Sequence, residues 1–459
     1  MRHRGLLLAL LLVAGCGGAK TASGPAPVRI WHWMTDRDNA FQELARRYKD
    51  ATGTDVRFEL YAPSDVYIQK VRSAAQTKGL PDVYGVLGES RDLASFINAG
   101  HVLRLDDAMN HTASEAWRSV FFPKALEVNM FGPRNAYDIE PGIYGIPIDV
   151  MNIQLFYNKA LLAKLGLNPE QPPATWEEFL KVGELAKSQN ILGFVSGWAE
   201  LWLIDCFATN YAIHEMGMEK VEATYRGKVP YTDAGWVKVL TLFEQLRDSG
   251  ILAQGIVTMV NKRAEQLFAN GQAAFAFNGT WGVNVYRGMN PNLDYGVMMP
   301  PRLNAKPMVT WGGAGSSFVV NARSERQEGA IAFLRWLTAE PQQQYLLEVT
   351  QNIPANRHAA ATLPAHLAAF ADDMDATVHP RMFPVPERST VIEAFDKGIQ
   401  SILIGEATAQ EIAKQVQAVK ERELSRQPAL RQMDGESRGK PASSGGGPGV
   451  SREATDAVR

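Results

Sequence analysis

The residues best suited to chemistry are ten tryptophans and a small set of carboxylates and amides near strand ends. An indole offers a broad apolar face and one N–H donor, so it stacks on the C–H face of a sugar ring or surrounds a quaternary ammonium. A carboxylate beside it accepts two hydroxyl donors, and charge-assisted bonds of that kind are the stronger ones. Trp117, Trp176, Trp236 and Trp336 fall within helical patterns and Trp31 sits mid-strand, which marks all five as core. Trp33, Trp198, Trp202, Trp281 and Trp311 lie at strand ends or beside glycine, where loops line clefts. Their polar company is Asp36 just past the first strand, Asp149 and Asn152 after Pro147, and Arg357 after Ile353-Pro354-Ala355-Asn356. Each of these four also suits a helix cap or a solvated loop.

Known catalytic spacings are missing. The chain has no G-x-S-x-G elbow, no H-E-x-x-H pair and no G-x-x-x-x-G-K-[ST] loop, and Gly312-Gly313-Ala314-Gly315-Ser316-Ser317 does not match the dinucleotide fingerprint. Glu89 and Asp149 could mimic the carboxylate pair of a glycosidase, whose approach of about 5 to 9 Å is a property of the fold. The reading is a binding protein rather than an enzyme, with neither cofactor nor metal expected. Net charge is −2, with no polybasic run, zinc spacing or RNA-binding aromatic motif, so nucleic acid is not an expected partner.

The elements that must position these residues read as α/β. Short apolar runs at 56–60, 83–87, 273–277 and 317–320 alternate with helical spacing at 41–49, 176–187, 237–246 and 330–337. Such alternation argues for parallel sheets covered by helices. Pro147 fixes φ and removes a donor, so it suits a crossing point between two sheets. Asn158 caps a helix over 159–165 that Gly166 ends, and Thr175 with Glu178 forms a capping box. With 46% hydrophobic residues over 459 positions, the chain can fill two cores of ordinary domain size.

The amino terminus reads as a secretory leader. Arg2 and Arg4 precede an apolar run from Leu6 to Val13, too short to span a bilayer, and small residues follow up to Cys16. Losing Arg2 and Arg4 with a leader over 1–15 takes the net charge from −2 to −4. Residues 16–27, rich in Gly, Ala, Ser and Pro, read as a flexible tether, and 434–459 lacks apolar residues to bury and reads as disordered. Cys206, in Trp202-Leu203-Ile204-Asp205-Cys206-Phe207, reads as a buried small hydrophobe.

Several motifs follow one another in an order that resembles the solute-binding proteins of bacterial ABC importers, specifically the extracellular family 1 group that binds sugars. They begin with Val28-Arg29-Ile30-Trp31-His32-Trp33, Thr52-Gly53-Thr54-Asp55-Val56, Pro81-Asp82-Val83 and the stretch from Gly142 to Leu180. They continue with Phe268-Ala269-Asn270-Gly271-Gln272-Ala273-Ala274, Gly279-Thr280-Trp281, Trp311-Gly312-Gly313 and Ile353-Pro354-Ala355, so that residues 28–430 are covered. The resemblance implies a two-lobed type II periplasmic-binding fold of parallel-rich sheets, with 28–147 plus 308–354 in one lobe and 148–307 plus 355–430 in the other. The ligand would lie in the cleft between them, as open α/β sheets bind. The implied ligand is a sugar or oligosaccharide; a quaternary amine or polyol is the alternative, and a secreted glycosidase a remoter one.

The same resemblance places Glu89 and Ser90 where an acidic side chain accepts sugar hydroxyls, and turns Trp281 and Trp311 toward the cleft. The ligand set expected is therefore Trp33, Glu89, Ser90, Asp149, Asn152, Trp198, Trp202, Trp281, Trp311, Gly312, Gly313 and Arg357. Met151 stands where some relatives carry a sugar-binding acid, so their ligand orientation does not carry over. Val13-Ala14-Gly15-Cys16 resembles a lipoprotein signal-peptidase site, which implies acylation of Cys16 and an extracytoplasmic protein tethered to the membrane. The implied partners are permease subunits of an ABC importer, with the receptor itself a monomer.

Overall fold

The computed structural model describes residues 26–87, 90–110, 117–133, 135–379 and 383–426. Glu89, Cys16, the leader, most of the tether and the 434–459 tail lie outside the described residues. Twelve strands are described: β1 (Val28–His32), β2 (Val56–Leu60), β3 (Val83–Tyr84), β4 (Met130–Phe131), β5 (Gly142–Ile143), β6 (Ile146–Asn158), β7 (Leu192–Val195), β8 (Ala273–Gly279), β9 (Tyr295–Met298), β10 (Thr310–Val320), β11 (Ile353–Pro354) and β12 (Thr377–Val378). The main sheet runs β2-β1-β3-β10-β6-β8-β7, with β9 and β11 also on β6 and β12 on β10, while β4 and β5 form a separate pair.

The sheet is α/β as expected and mixed in direction. Along the main run parallel pairs lie toward the two ends, β1 with β2 and β3, and β7 with β8, and the short β12 also runs parallel to β10. The middle is antiparallel, because β10 returns beside β6 and β6 runs against β8. β6 is long enough to serve two neighbourhoods. Its first half pairs with β10 and β11, and its second half with β8 and β9. β10 does the same, pairing with β12 at 310–311, with β6 over 312–318 and with β3 at 319–320.

Alternation along β6 separates two cores. Ile148, Val150 and Phe156 point to one face, packed with Phe41, Phe318 and Phe333, while Ile153, Leu155 and Tyr157 point to the other, packed with Phe179, Phe207 and Phe275. Helices cover both. The helix Asp38–Thr52 buries Ala40, Phe41, Leu44, Ala45 and Tyr48, a stripe at helical spacing, and ends where Gly53 turns left-handed at φ 75°. Asn158 accepts from Leu161 N–H at 2.9 Å, Gly166 adopts φ 79°, and the Thr175–Glu178 capping box is formed. Thr408 and Glu411 make a second box at the start of Ala409–Ser425.

Two local expectations shift. The run at 83–87 shortens to Val83–Tyr84, because Gly85 lies beneath the Trp33 ring: a Cβ there would fall 2.2 Å from it. Trp117 sits in a 3₁₀ turn, Trp117–Val120, yet is buried as expected. Cys206 is buried and free, and burial pushes its thiol pKa up. No helix among the described residues is long and apolar enough to cross a membrane.

Candidate functional site

The site is built on the crossing of β10, β6 and β8. Gly312 pairs with Asn152, which sets Trp311 beside Ile153, and Gly279 pairs with Ile153 from the other edge. Paired residues in a sheet share a face, and neighbouring strands are about 4.8 Å apart, so two strands flanking a third are separated by about 10 Å. Trp311 and the bare Gly279 therefore flank Ile153 on one face, with Met151 one step along β6. Trp281 lies flat over Gly279, since a Cβ at 279 would meet its ring at 2.0 Å. Trp202, in the first turn of Leu201–Met216, brings its ring centroid within 5.9 Å of that of Trp281 at 49°. Trp202, Trp281 and Trp311 with Met151 thus form a half-exposed apolar floor. Trp202 is its most open member, 43% exposed.

Polar groups hold this floor in place. Glu200 Oε2 accepts the Trp202 indole N–H at 3.1 Å. Trp281 lies against Glu265, whose burial raises its pKa against the opposing effect of Asn278, Trp281 and Asn261. Trp311 packs against His379 with centroids 4.5 Å apart and the rings tilted by 41°, and its indole nitrogen is buried without a hydrogen-bond partner. Asp205 follows Trp202 on the same stripe of the helix, where Thr209 donates to it at 3.3 Å.

Other expected ligand residues are placed differently. Trp198 is fully buried among Phe194, Phe207 and Phe243, so it belongs to the core; a strand end beside glycine here turns inward. Asn152 points to the opposite face of β6, is buried, and donates to the Phe370 carbonyl at 2.7 Å. Asp149 is engaged internally. Its Oδ1 accepts the Ser316 N–H and hydroxyl at 2.6 and 2.5 Å, and Oδ2 accepts Arg37 at 2.5 Å. Asp36 is held by Arg37 and by Asn352, whose Nδ2 donates at 3.0 Å.

Gly312 and Gly313 leave bare backbone on β10: a Cβ on Gly312 would meet Asn152 at 2.6 Å, and one on Gly313 would meet Val128 at 2.7 Å. Trp33 packs on Tyr67 at 5.1 Å and has no ring contact with the three floor indoles. Arg357 has an exposed side chain, and its N–H donates to Val120, which ties it to the segment after Trp117. Ser90 is buried and lines a cavity of about 290 Å³ with Glu127, Tyr137 and Phe383. Glu89 lies outside the described residues.

Arg37, Glu200, Glu265 and His379 were not singled out by the sequence reading. Each lies in a loop or at a helix position with nothing local to mark it, and only the tertiary fold brings it to its partner. Asn261 and Glu265 at i and i+4 gave the one readable hint of a shared helix face.

Open indole rings, a carboxylate that fixes one of them and crossing strands behind make an arrangement suited to recognition. The galactooligosaccharide-binding protein of Bacillus subtilis is 22% identical over 407 residues, covering 86% of this chain and 90% of that protein. Among solved structures, a chitin oligosaccharide binding protein superposes with a TM-score of 0.68 at 20% identity, covering 88% of this chain and 100% of that one. The solute-binding protein RafE in complex with raffinose gives a TM-score of 0.68 at 16% identity, covering 86% and 98%. These likenesses show the fold, the two-lobed α/β architecture of type II solute-binding proteins. Residues 43–376 match the family described as bacterial extracellular solute-binding protein, and the chain belongs to that family.

Proposed function

We propose that this protein is the extracytoplasmic receptor of an ABC importer and captures a sugar or oligosaccharide on the floor formed by Trp202, Trp281 and Trp311. The observation that carries the reading is the gathering of these three indoles, with Met151, on one face of the crossing strands. The relatives named above, a galactooligosaccharide-binding protein, a chitin oligosaccharide binding protein and RafE in complex with raffinose, support the ligand class.

The lobes would be 28–147 plus 308–354 and 148–307 plus 355–430, with β6, β10 and β11 as the connecting strands. Ligand then shifts the population toward a closed form that the permease recognises. The receptor works as a monomer and performs no turnover. Residues 1–15 are removed as a leader, Cys16 is acylated and 16–27 forms the tether. Labelled palmitate entering the wild type but not Cys16→Ala supports the anchor; equal labelling of both overturns it.

The ligand class is tested by a thermal-shift screen of the purified protein against mono- and oligosaccharides, polyols and quaternary amines. Stabilisation by saccharides alone supports the proposal. Stabilisation by quaternary amines or polyols alone replaces it with the corresponding ligand class.

A further inference from the structure

Trp202 is held by a carboxylate that is not itself on the floor, and its neighbour Trp281 lies against a second. Glu200 grips Trp202 with one oxygen and accepts the backbone N–H of Asn261 at 2.8 Å with the other. Asn261 Nδ2 donates to Glu265 Oε1 at 3.0 Å, where Asn278 Nδ2 also donates at 3.0 Å. The Trp281 side chain also favours the charged form of Glu265. Hydrogen bonds therefore run from Trp202 through Glu200 and Asn261 to Glu265, and Glu265 lies against Trp281.

Glu265 is only 8% exposed, and a carboxylate is buried that deeply only with its partners in place. The Trp202 ring is gripped by its edge N–H, which leaves its faces open while fixing its rotation. We propose that Glu200, Asn261 and Glu265 are positioning residues that preset the Trp202–Trp281 pair, 5.9 Å apart, before any ligand arrives. Fixing the rings in advance removes the ordering cost from binding. The proposal rests on the reading of this floor as the ligand site.

The test uses the full chain and raffinose as probe. Glu265→Ala is expected to erase the near-ultraviolet circular dichroism of the coupled indoles in the ligand-free protein while the far-ultraviolet spectrum stays. Raffinose affinity, read by tryptophan fluorescence, falls about tenfold, and adding Glu265→Ala to Trp281→Ala brings no further loss, because the two act as one unit. An unchanged near-ultraviolet spectrum, or losses that simply add, overturns the proposal. If Glu265→Ala fails to fold, the half-buried Glu200→Ala carries the same test against Trp202→Ala. If raffinose does not bind the wild type, the choice of ligand fails, and the ligand-free spectrum still decides whether the carboxylates set the rings.

Discussion

Arg37 and Asp149 stand 112 residues apart in sequence and meet at 2.5 Å, joining the loop after β1 to β6. The other oxygen of Asp149 holds Ser316, where the β6–β10 register shifts and Gly315 is extruded. Burial works against the Arg37 charge, but Asp149 and Asp36 outweigh it, so its pKa ends above the ordinary value. Asp36 also takes Asn352, just before β11. One ionic cluster therefore fastens β6, β10 and the approach to β11, the strands proposed above to connect the lobes.

Asp149 accordingly belongs to the scaffold. Asp149→Ala leaves the Arg37 guanidinium largely buried without its main counter-charge, which is expected to cost about 3 to 5 kcal/mol of stability. Denaturant unfolding measures it. A stable variant that loses only ligand affinity would return Asp149 to the ligand set.

Gly279 carries the Trp281 ring on bare backbone. Gly279→Ala puts a methyl 2.0 Å from that ring, so the indole must move. The expected cost is about 1 to 3 kcal/mol, read as lowered thermal stability together with loss of the near-ultraviolet signal of the indole pair. Unchanged spectra would mean the ring does not rest on Gly279.

Asp396 is buried, one of its oxygens lacks a partner, and burial pushes its pKa well up, with Asp205 adding to the shift. A raised pKa in the fold favours the neutral acid. Its stabilising effect is complete below the unfolded carboxylate pKa of about 3.9 and is lost as pH rises through the raised folded value. Asp396→Asn is therefore expected to gain stability relative to wild type as pH climbs toward neutrality. Melting curves of both across that range check it; equal pH dependence contradicts the assignment.

Much of the fold was legible because its signals are local. The Asn158 cap, the Gly166 stop, the Thr175–Glu178 box and the apolar run of β8 each depend on residues within a turn or a strand. The site was legible in its residue types and only partly in its members. Trp202, Trp281 and Trp311 gather on one face, whereas Trp198, equally close to glycine, turns into the core. Sequence gives the strand end but not the side of the sheet to which the next side chain falls. Arg37, Glu200 and Glu265 escaped notice for a related reason: a lone charge shows its role only when its distant partner is in place. Asp149 and Asn152, read as following a crossing point at Pro147, lie within β6, and their hydrogen bonds run inward, to Arg37, Ser316 and Phe370.

The most direct measurement of the central claim is a tryptophan fluorescence titration of wild type and Trp281→Ala with raffinose, stachyose and chitin and galacto-oligosaccharides. The account predicts that at least one saccharide binds the wild type. It also predicts that Trp281→Ala weakens that binding about tenfold to hundredfold, the equivalent of about 1 to 3 kcal/mol of stacking, with little change in the ligand-free melting temperature. Binding of none of these saccharides, equal affinity in both proteins, or unfolding of the variant would contradict it.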